Sequence, residues 1–557
     1  MKMKGAQMFV EALRAEGVEV IFGHPGGAVL PIFDALYDAP VRTILMRHEQ
    51  AAAHAADGFA RASGKVGVCL ATSGPGATNL VTGIATAFMD SVPIVAFTGQ
   101  VKSFLIGNDA FQEADTTGVT RPITKHNYLI RSVEEMPRVI KEAFYIARTG
   151  RPGPVLVDIP VDFTLKEGDF SYPETVHLRG YDPTIEGHIG QLKKAAKAIK
   201  ESKKPLIYVG GGALSSGAEA ELAEFQQKIR APLTMTLMGL GVFPGDHPDS
   251  LGMLGMHGTV YTNNTVQACD LLIAIGARFD DRVTGKLDEF APHAKIIHID
   301  IDPAAISKNI VVDIPIVGDV RNCLRELNKL IEPGDTQAWL AQIAEWRKAN
   351  PLIYPETEKL SAQYVIEELN NICDKDKTIF CSDVGQHQMW LAQFYRFRKP
   401  RSHITSGGLG TMGYGFPAAI GAKFAHPDAT IVNLSGDGSF QMNLQELATC
   451  AGYDLDIKIL IINNKYLGMV RQWQKLFYKG RYSCSFMGGS PDFVKLAEAY
   501  GFRGVRLDQK KDVRPILKDV LETPGTTIVD IVTEEEENVF PIVAPGEAIN
   551  RMIVSMA

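Results

Sequence analysis

Short apolar runs rich in Val, Ile and Leu, bounded by Gly, Pro or Ser, recur at 18–22, 43–46, 66–71, 93–98 and 154–159, with helical stretches between them. Such strands point to a parallel sheet covered on both faces, because a strand with one wet face alternates polar and apolar residues. A polar stretch, 166–187, breaks the pattern and reads as a linker. The pattern restarts at 205–209 and returns at 271–275 and 295–301, giving a second α/β unit. A charged helical stretch over 321–350, followed by Pro351 and Pro355, marks its end. A third unit begins near 361, with strands at 378–381, 430–434, 457–462 and 527–531. The expectation is an α/β protein of three consecutive domains with central parallel sheets, at 1–165, 188–345 and 360–535, and a tail at 536–557.

The length, 557 residues, suits this division at roughly 150 residues per domain. With 45% hydrophobic and 22% charged residues the composition is ordinary for a globular protein, which removes disordered, collagen-like and disulfide-scaffold classes. The net charge of −7 argues against a broad surface for nucleic acid or anionic membrane. Seven cysteines without a CxxC pair favour a reducing compartment over a cysteine zinc site. The amino terminus lacks the apolar core of a signal peptide, and no run of 18 apolar residues occurs. The expectation is a soluble, cytoplasmic protein with neither a nucleic-acid nor a membrane partner.

The strongest local signal is Gly436-Asp437-Gly438-Ser439, between strand 430–434 and a helix expected over 441–450, followed by Asn463-Asn464 at the end of the next strand. Both elements reach the carboxyl edge of a parallel sheet, where open α/β folds bind ligands. Glycines there let the backbone approach a phosphate, and helix N–H groups hold the anion. The Asp437 carboxylate, the Asn464 amide oxygen and a backbone carbonyl near Tyr466 are the hard donors that Mg²⁺ takes beside phosphate and water. Two ordinary turns are the alternative, since Gly-Asp-Gly alone is common in loops.

Gly-Asp-Gly with Asn-Asn at this spacing resembles the diphosphate and magnesium site of thiamine diphosphate enzymes. The resemblance implies a glutamate from the N-terminal domain against the cofactor's aminopyrimidine ring, and Glu49, in Arg47-His48-Glu49-Gln50-Ala51, is the matching residue. A carboxyl hydrogen-bonded to the pyrimidine N1′ favours the tautomer whose 4′-imino group can remove the thiazolium C2 proton. Taken alone, Glu49 is a carboxylate at a helix start. A zinc-protease reading fails, because His48 and His54 are six apart rather than the four needed for one helical face.

Further motifs extend the resemblance over nearly the whole chain, among them Gly23-His24-Pro25-Gly26-Gly27, Thr72-Ser73-Gly74-Pro75-Gly76, Gly276-Ala277-Arg278-Phe279-Asp280-Asp281-Arg282 and Gly468-Met469-Val470-Arg471-Gln472-Trp473. Together they resemble the catalytic large subunits of acetohydroxyacid (acetolactate) synthases. The resemblance implies Met412 as an apolar support beneath the bent cofactor, and Gln386, His387, Gly438, Ser439, Gly468 and Met469 along its ring or diphosphate. It implies FAD in the central domain, with Arg151, Gly210, Gly211, Gly212, Thr236, Leu237, His257, Gly276, Arg278, Asp300 and Asp319 around it. Phe111, Gln112, Arg282 and Trp473 fall around the substrates.

Each residue also has a structural reading. The glycines can serve positive φ, the methionines and Trp473 a core, Arg282 a salt bridge, and Asp300 a strand-ending turn. Gly210-Gly211-Gly212 follows a strand directly but lacks the full Gly-x-Gly-x-x-Gly pattern. The implied reaction is decarboxylation of pyruvate on thiamine diphosphate and condensation of the two-carbon fragment with pyruvate or 2-ketobutyrate. The products are 2-acetolactate or 2-aceto-2-hydroxybutyrate, on the route to branched-chain amino acids. The same resemblance implies small 2-keto acids as substrates, a homodimer or homotetramer, and a small regulatory subunit as a further partner. The alternatives are a FAD-linked pyruvate oxidase or other thiamine diphosphate-dependent decarboxylase or carboligase, and, more remotely, an inactive scaffold. Two departures from the family pattern, Val161 where a lysine is usual and Lys102 where a proline is usual, bear on substrate or inhibitor approach and leave the cofactor residues intact.

Overall fold

The computed structural model describes residues 2–555. Three six-stranded sheets carry the fold, and every pairing inside them is parallel. The first holds strands from Val20–His24 to Val155–Pro160, the second from Pro205–Val209 to Ile314–Val317, and the third from Thr378–Ser382 to Thr527–Val532. Their central strands, such as Leu271–Ile275 and Ile457–Asn463, are buried almost throughout. Numbered by chain order within each sheet, the first and third share the order 2-1-3-4-6-5, whereas the second runs 3-2-1-4-5-6.

Several strands escaped the apolar pattern because they are short or lie at an edge. His126–Leu129 and Arg503–Leu507 end their sheets and keep polar, partly exposed residues, while Leu233–Met235 has three residues. The expected linker is partly structured: Glu167–Asp169 pairs antiparallel with Lys2–Lys4, and Tyr172, Leu178 and Tyr181 pack on the first core. The charged helix over 321–350 is two helices, Val320–Leu330 and Gln337–Ala349. Pro333 lies in the break, where it removes a backbone donor and disfavours helix before it. In place of the helix expected over 441–450 stand a 3₁₀ turn Leu444–Glu446 and a helix Leu447–Gly452, after a short helix Asp437–Phe440. Asn443 interrupts the run, leaving helical geometry while its side chain donates to the Gly413 carbonyl at 2.7 Å. The tail folds back on the second unit: Val543 N–H donates to the Met256 carbonyl at 2.9 Å, and the Asn263 amide to that of Ile549 at 2.8 Å. Residues 556–557 of that tail lie outside the described residues. Among the described residues no helix is long and apolar enough to cross a membrane.

The first and third sheets meet most extensively through one helix pair. Helix Glu49–Ser63 is alanine-rich and buried at every position from Ala51 to Ala60, as expected for a helix with no wet face. It lies on Gly415–Ala425, buried from Gly415 to Ala422. A Cβ on Gly58 would collide with the Ala418 carbonyl, and one on Gly421 with the Ala55 carbonyl. These obstacles are backbone, so any side chain must push the helices apart. Gly421→Ala is therefore expected to destabilise the protein by about 1–3 kcal/mol, despite the higher helix propensity of alanine. Thermal melting checks this, and an unchanged or raised melting temperature would contradict so close a contact.

Candidate active site

Strand order in the third sheet reverses between Thr378–Ser382 and Thr430–Gly436, which opens a crevice at their carboxyl ends. Gln386 and His387 follow the first of these strands, and Asp437, Gly438 and Ser439 the second. Asp437 is buried, and neither of its carboxylate oxygens has a hydrogen-bond partner. Burial pushes its carboxyl up to about 7. An unpartnered buried carboxylate is costly, and a cation beside it removes that cost, so the donor fits a metal. Asn464 stands at the end of the neighbouring strand. Its amide nitrogen donates to Gln386 Oε1 at 3.2 Å, and its oxygen accepts the Tyr466 N–H at 3.1 Å across a turn with Lys465 at φ 59°.

Gln386 in turn donates to Gln472 Oε1 at 2.9 Å and to the Glu537 carbonyl at 2.8 Å. A Cβ on Gly468 would collide with Gln386 Oε1, so Gln386, Asn464 and Gly468 form one packed knot. Ser439 Oγ accepts the Gly436 N–H at 3.1 Å and closes the Gly-Asp-Gly-Ser turn. Burial lowers His387 to about 4, and its Nε2 has no partner. Met412 is half-buried on a loop whose Gly413 and Gly415 N–H groups donate to Asp383 at 2.9 and 3.0 Å.

Glu49 opens helix Glu49–Ser63 and accepts from the Asn79 amide at 3.0 Å. Its approach is fixed by Glu446 of the third unit, which accepts the Arg47 and His48 N–H groups at 3.0 and 3.1 Å. Gln112 adopts φ 59° with its backbone against Gly74, and Phe111 beside it is 87% exposed. These residues belong to the first unit, and among the described residues no hydrogen bond or ion pair joins them to Arg282 or Trp473. Lys102 is exposed with its ammonium 6.0 Å from the Phe104 ring, and Val161 opens a short helix, Val161–Leu165.

A cavity of about 960 Å³ lies among the three units. It opens at the reversal point of the second sheet, between Pro205–Val209 and Leu271–Ile275, in a sheet with the strand order common to dinucleotide-binding folds. Gly210, Gly211, Gly212 and Gly276 line it, as do Thr236, Leu237 and His257. A Cβ on Gly212 would lie 2.7 Å from Gly276 Cα, so contact between the two strand-end loops itself demands glycine there. Arg151 donates to Ser91 Oγ at 2.8 Å and pairs with Asp302 at 3.2 Å, while Arg278 donates to the Met89 carbonyl at 3.3 Å. Both arginines line the cavity and tie the first unit to the second. Asp300 and Asp319 line it too, but each already has local work. Asp300 accepts the Asp302 N–H at 2.9 Å, and Asp319 caps Val320–Leu330.

Met469, Arg282 and Trp473 line the same cavity. The Arg282 guanidinium sits 5.7 Å from the Trp473 ring centre, and Trp473 is half-buried on Gly468–Phe477. Trp473 thus faces a cavity rather than sealing a core. Sequence reasoning passed over Asp90, Asp383, Gly407 and Gly408, which stand in no phosphate-binding or metal-ligand pattern.

Three α/β units, with the buried, unpartnered Asp437 at the third sheet's reversal point and Asn464 at the end of the next strand, fit an enzyme of the thiamine pyrophosphate class. The chain matches the thiamine pyrophosphate enzyme N-terminal TPP binding domain over residues 3–119, the central domain over 192–327 and the C-terminal TPP binding domain over 383–531. It is 53% identical to the "Probable acetolactate synthase large subunit" of Methanocaldococcus jannaschii, over 99% of this chain and 95% of that one. It is 49% identical to the acetolactate synthase large subunit of Haemophilus influenzae, over 100% and 98%. With the acetolactate synthase isozyme 3 large subunit of Escherichia coli the identity is 48%, over 99% of each. The chain belongs to the acetolactate synthase large-subunit family.

Asp437→Ala removes the buried, unpartnered carboxylate of the Gly-Asp-Gly turn; if that carboxylate holds a cation, Mg²⁺ and with it thiamine diphosphate are expected to bind at least 10-fold more weakly. Calorimetric titration checks this; unchanged affinities would remove Asp437 from the site.

Proposed function

We propose that the chain is the catalytic subunit of an acetohydroxyacid synthase, joining pyruvate to a second 2-keto acid with loss of CO₂. The observation that carries the reading is Asp437, a buried carboxylate with both oxygens unpartnered at the reversal point of the third sheet. Asp437, the Asn464 amide oxygen and the Tyr466 carbonyl would hold Mg²⁺ there, and Gly438, Ser439, Gln386, His387 and Gly468 would line the diphosphate. FAD takes the cavity of about 960 Å³. Its role there is structural, because the net reaction involves no redox change.

Thiamine diphosphate, when bound, would supply the carbon nucleophile needed for decarboxylation and two-carbon transfer. Glu49 holds a proton at the pyrimidine N1′, with Asn79 fixing its other oxygen. Met412 would supply an apolar support for the ring. Arg282 offers a guanidinium fork to the acceptor carboxylate, and Trp473 beside it contacts the extra methyl of 2-ketobutyrate. Phe111 and Gln112, on the Glu49 side, complete the site from a second copy of the chain. The assembly is a homodimer or homotetramer in the cytoplasm, with a small regulatory subunit as a further partner.

The test is a carbon balance on purified protein with pyruvate, thiamine diphosphate, Mg²⁺ and FAD. Acetolactate and CO₂ are expected in equal amounts without oxygen uptake, and phosphate-dependent oxygen consumption would contradict the proposal. Glu49→Gln is expected to stay folded and to lower turnover on the order of 10²-fold or more, the scale of a lost acid–base group. Wild-type turnover in that variant would remove the role given to Glu49.

A further inference from the structure

The loop over residues 405–415 carries Met412, and its shape is set at both ends by carboxylates. At the far end Asp383, from the same unit, accepts the Gly413 and Gly415 N–H groups. At the near end the acceptor comes from the first unit: Asp90 takes the Gly408 N–H at 2.6 Å and the Gly407 N–H at 3.1 Å. A Cβ on Gly408 would lie 2.8 Å from Asp90 Oδ1, so glycine is what allows the carboxylate so close. Between them, Thr86 and Thr411 hydroxyls meet at 2.7 Å. Thr86 gives its own proton to the Thr82 carbonyl at 2.8 Å, so Thr411 is the donor of that pair.

Asp90 is an expensive choice for its position. It ends helix Val81–Asp90, where the helix dipole disfavours a negative charge, and its side chain is 1% exposed. Arg61 offsets this, pairing with Asp90 at 2.8 Å while its Nε holds Asp57 at 2.6 Å. Asp57 in turn accepts the Tyr414 hydroxyl, from the loop's own end. A buried chain of Tyr414, Asp57, Arg61 and Asp90 therefore runs from one end of the loop to the other through the first unit. The glycine-mediated contact packs the two helices together; the charged chain in addition holds the backbone of the loop.

We propose that Asp90, oriented by Arg61, and Thr86 are positioning residues that set the height of Met412 against the thiazolium ring. The proposal rests on the reading of Met412 as the apolar support beneath that ring. The same first unit thus serves two sites, offering Glu49 at one end of its long helix and clamping the Met412 loop of its own chain at the other.

The clamp acts on the ring and not on the diphosphate, and this separates it from general loosening. Thiamine diphosphate and inorganic pyrophosphate, each with Mg²⁺, are titrated by calorimetry into the full-length wild type and into Thr86→Val, Thr86→Ser and Asp90→Asn, with folding checked by melting. Thr86→Val and Asp90→Asn are expected to bind pyrophosphate as the wild type does and thiamine diphosphate on the order of 10-fold more weakly, the scale of a lost buried hydrogen bond. Thr86→Ser keeps the hydroxyl and is expected to bind both ligands normally. Equal weakening of both ligands, or of neither, in folded Thr86→Val would overturn the proposal, and that variant decides alone where Asp90→Asn does not fold. Wild-type binding of both ligands that ignores Asp437→Ala would overturn the diphosphate reading itself, and the proposal with it.

Discussion

The contact on which the remainder of the structure depends is between two helix backbones, Gly58 against the Ala418 carbonyl and Gly421 against that of Ala55. It brings two sheets of identical strand order into one buried core, with alanines of Glu49–Ser63 packed against Ala418, Ala419 and Ala422. Close backbone approach leaves little freedom to slide, since interiors pack near crystal density. The helix that makes this contact starts at Glu49 and carries Arg61 in its last turn. At 1.5 Å per residue these two are about 18 Å apart, so one rigid rod fixes both the start at Glu49 and the Arg61 end that pairs with Asp90. Placement of Glu49 and of the Met412 loop both follow from that packing.

The parts of the fold legible in the sequence were those dictated locally. Buried central strands such as Ile457–Asn463 announce themselves as apolar runs, because both faces are covered. Edge strands such as Arg503–Leu507 do not, since one side meets solvent and the residues can be polar. Strand order is a long-range property, and nothing in a run of Val and Ile says which run lies beside it. The shared order of the first and third sheets and the 3-2-1-4-5-6 order of the second therefore appeared only in the structure. Asn443 escaped for the same reason: its side chain leaves the helix for a carbonyl 30 residues away.

Site residues divide along the same line. Asp437 and Asn464 were readable as candidates because a phosphate turn and a metal donor would impose residue types at fixed offsets. The cavity-lining residues of the second unit came through family resemblance, and the structure gathers them around one space. It also assigns Gly212 and Gly276 a packing role that the motif reading did not foresee. Asp90 left no trace, because its partners Arg61 and Gly408 lie 29 and 318 residues away. A carboxylate ending an apolar helix reads as an ordinary C-terminal residue until the loop it holds is in view.

If Glu49 and Asp437 serve one thiamine diphosphate from different subunits, two defective chains can complement each other. Co-expression of Glu49→Gln and Asp437→Ala chains under separate tags, followed by purification on both, isolates the mixed assembly. In a symmetric dimer one site then carries both defects and the other carries neither, so about half of wild-type turnover per dimer is expected. Turnover no higher than that of either variant alone, in mixed dimers shown to be folded and cofactor-loaded, would contradict a site shared between subunits.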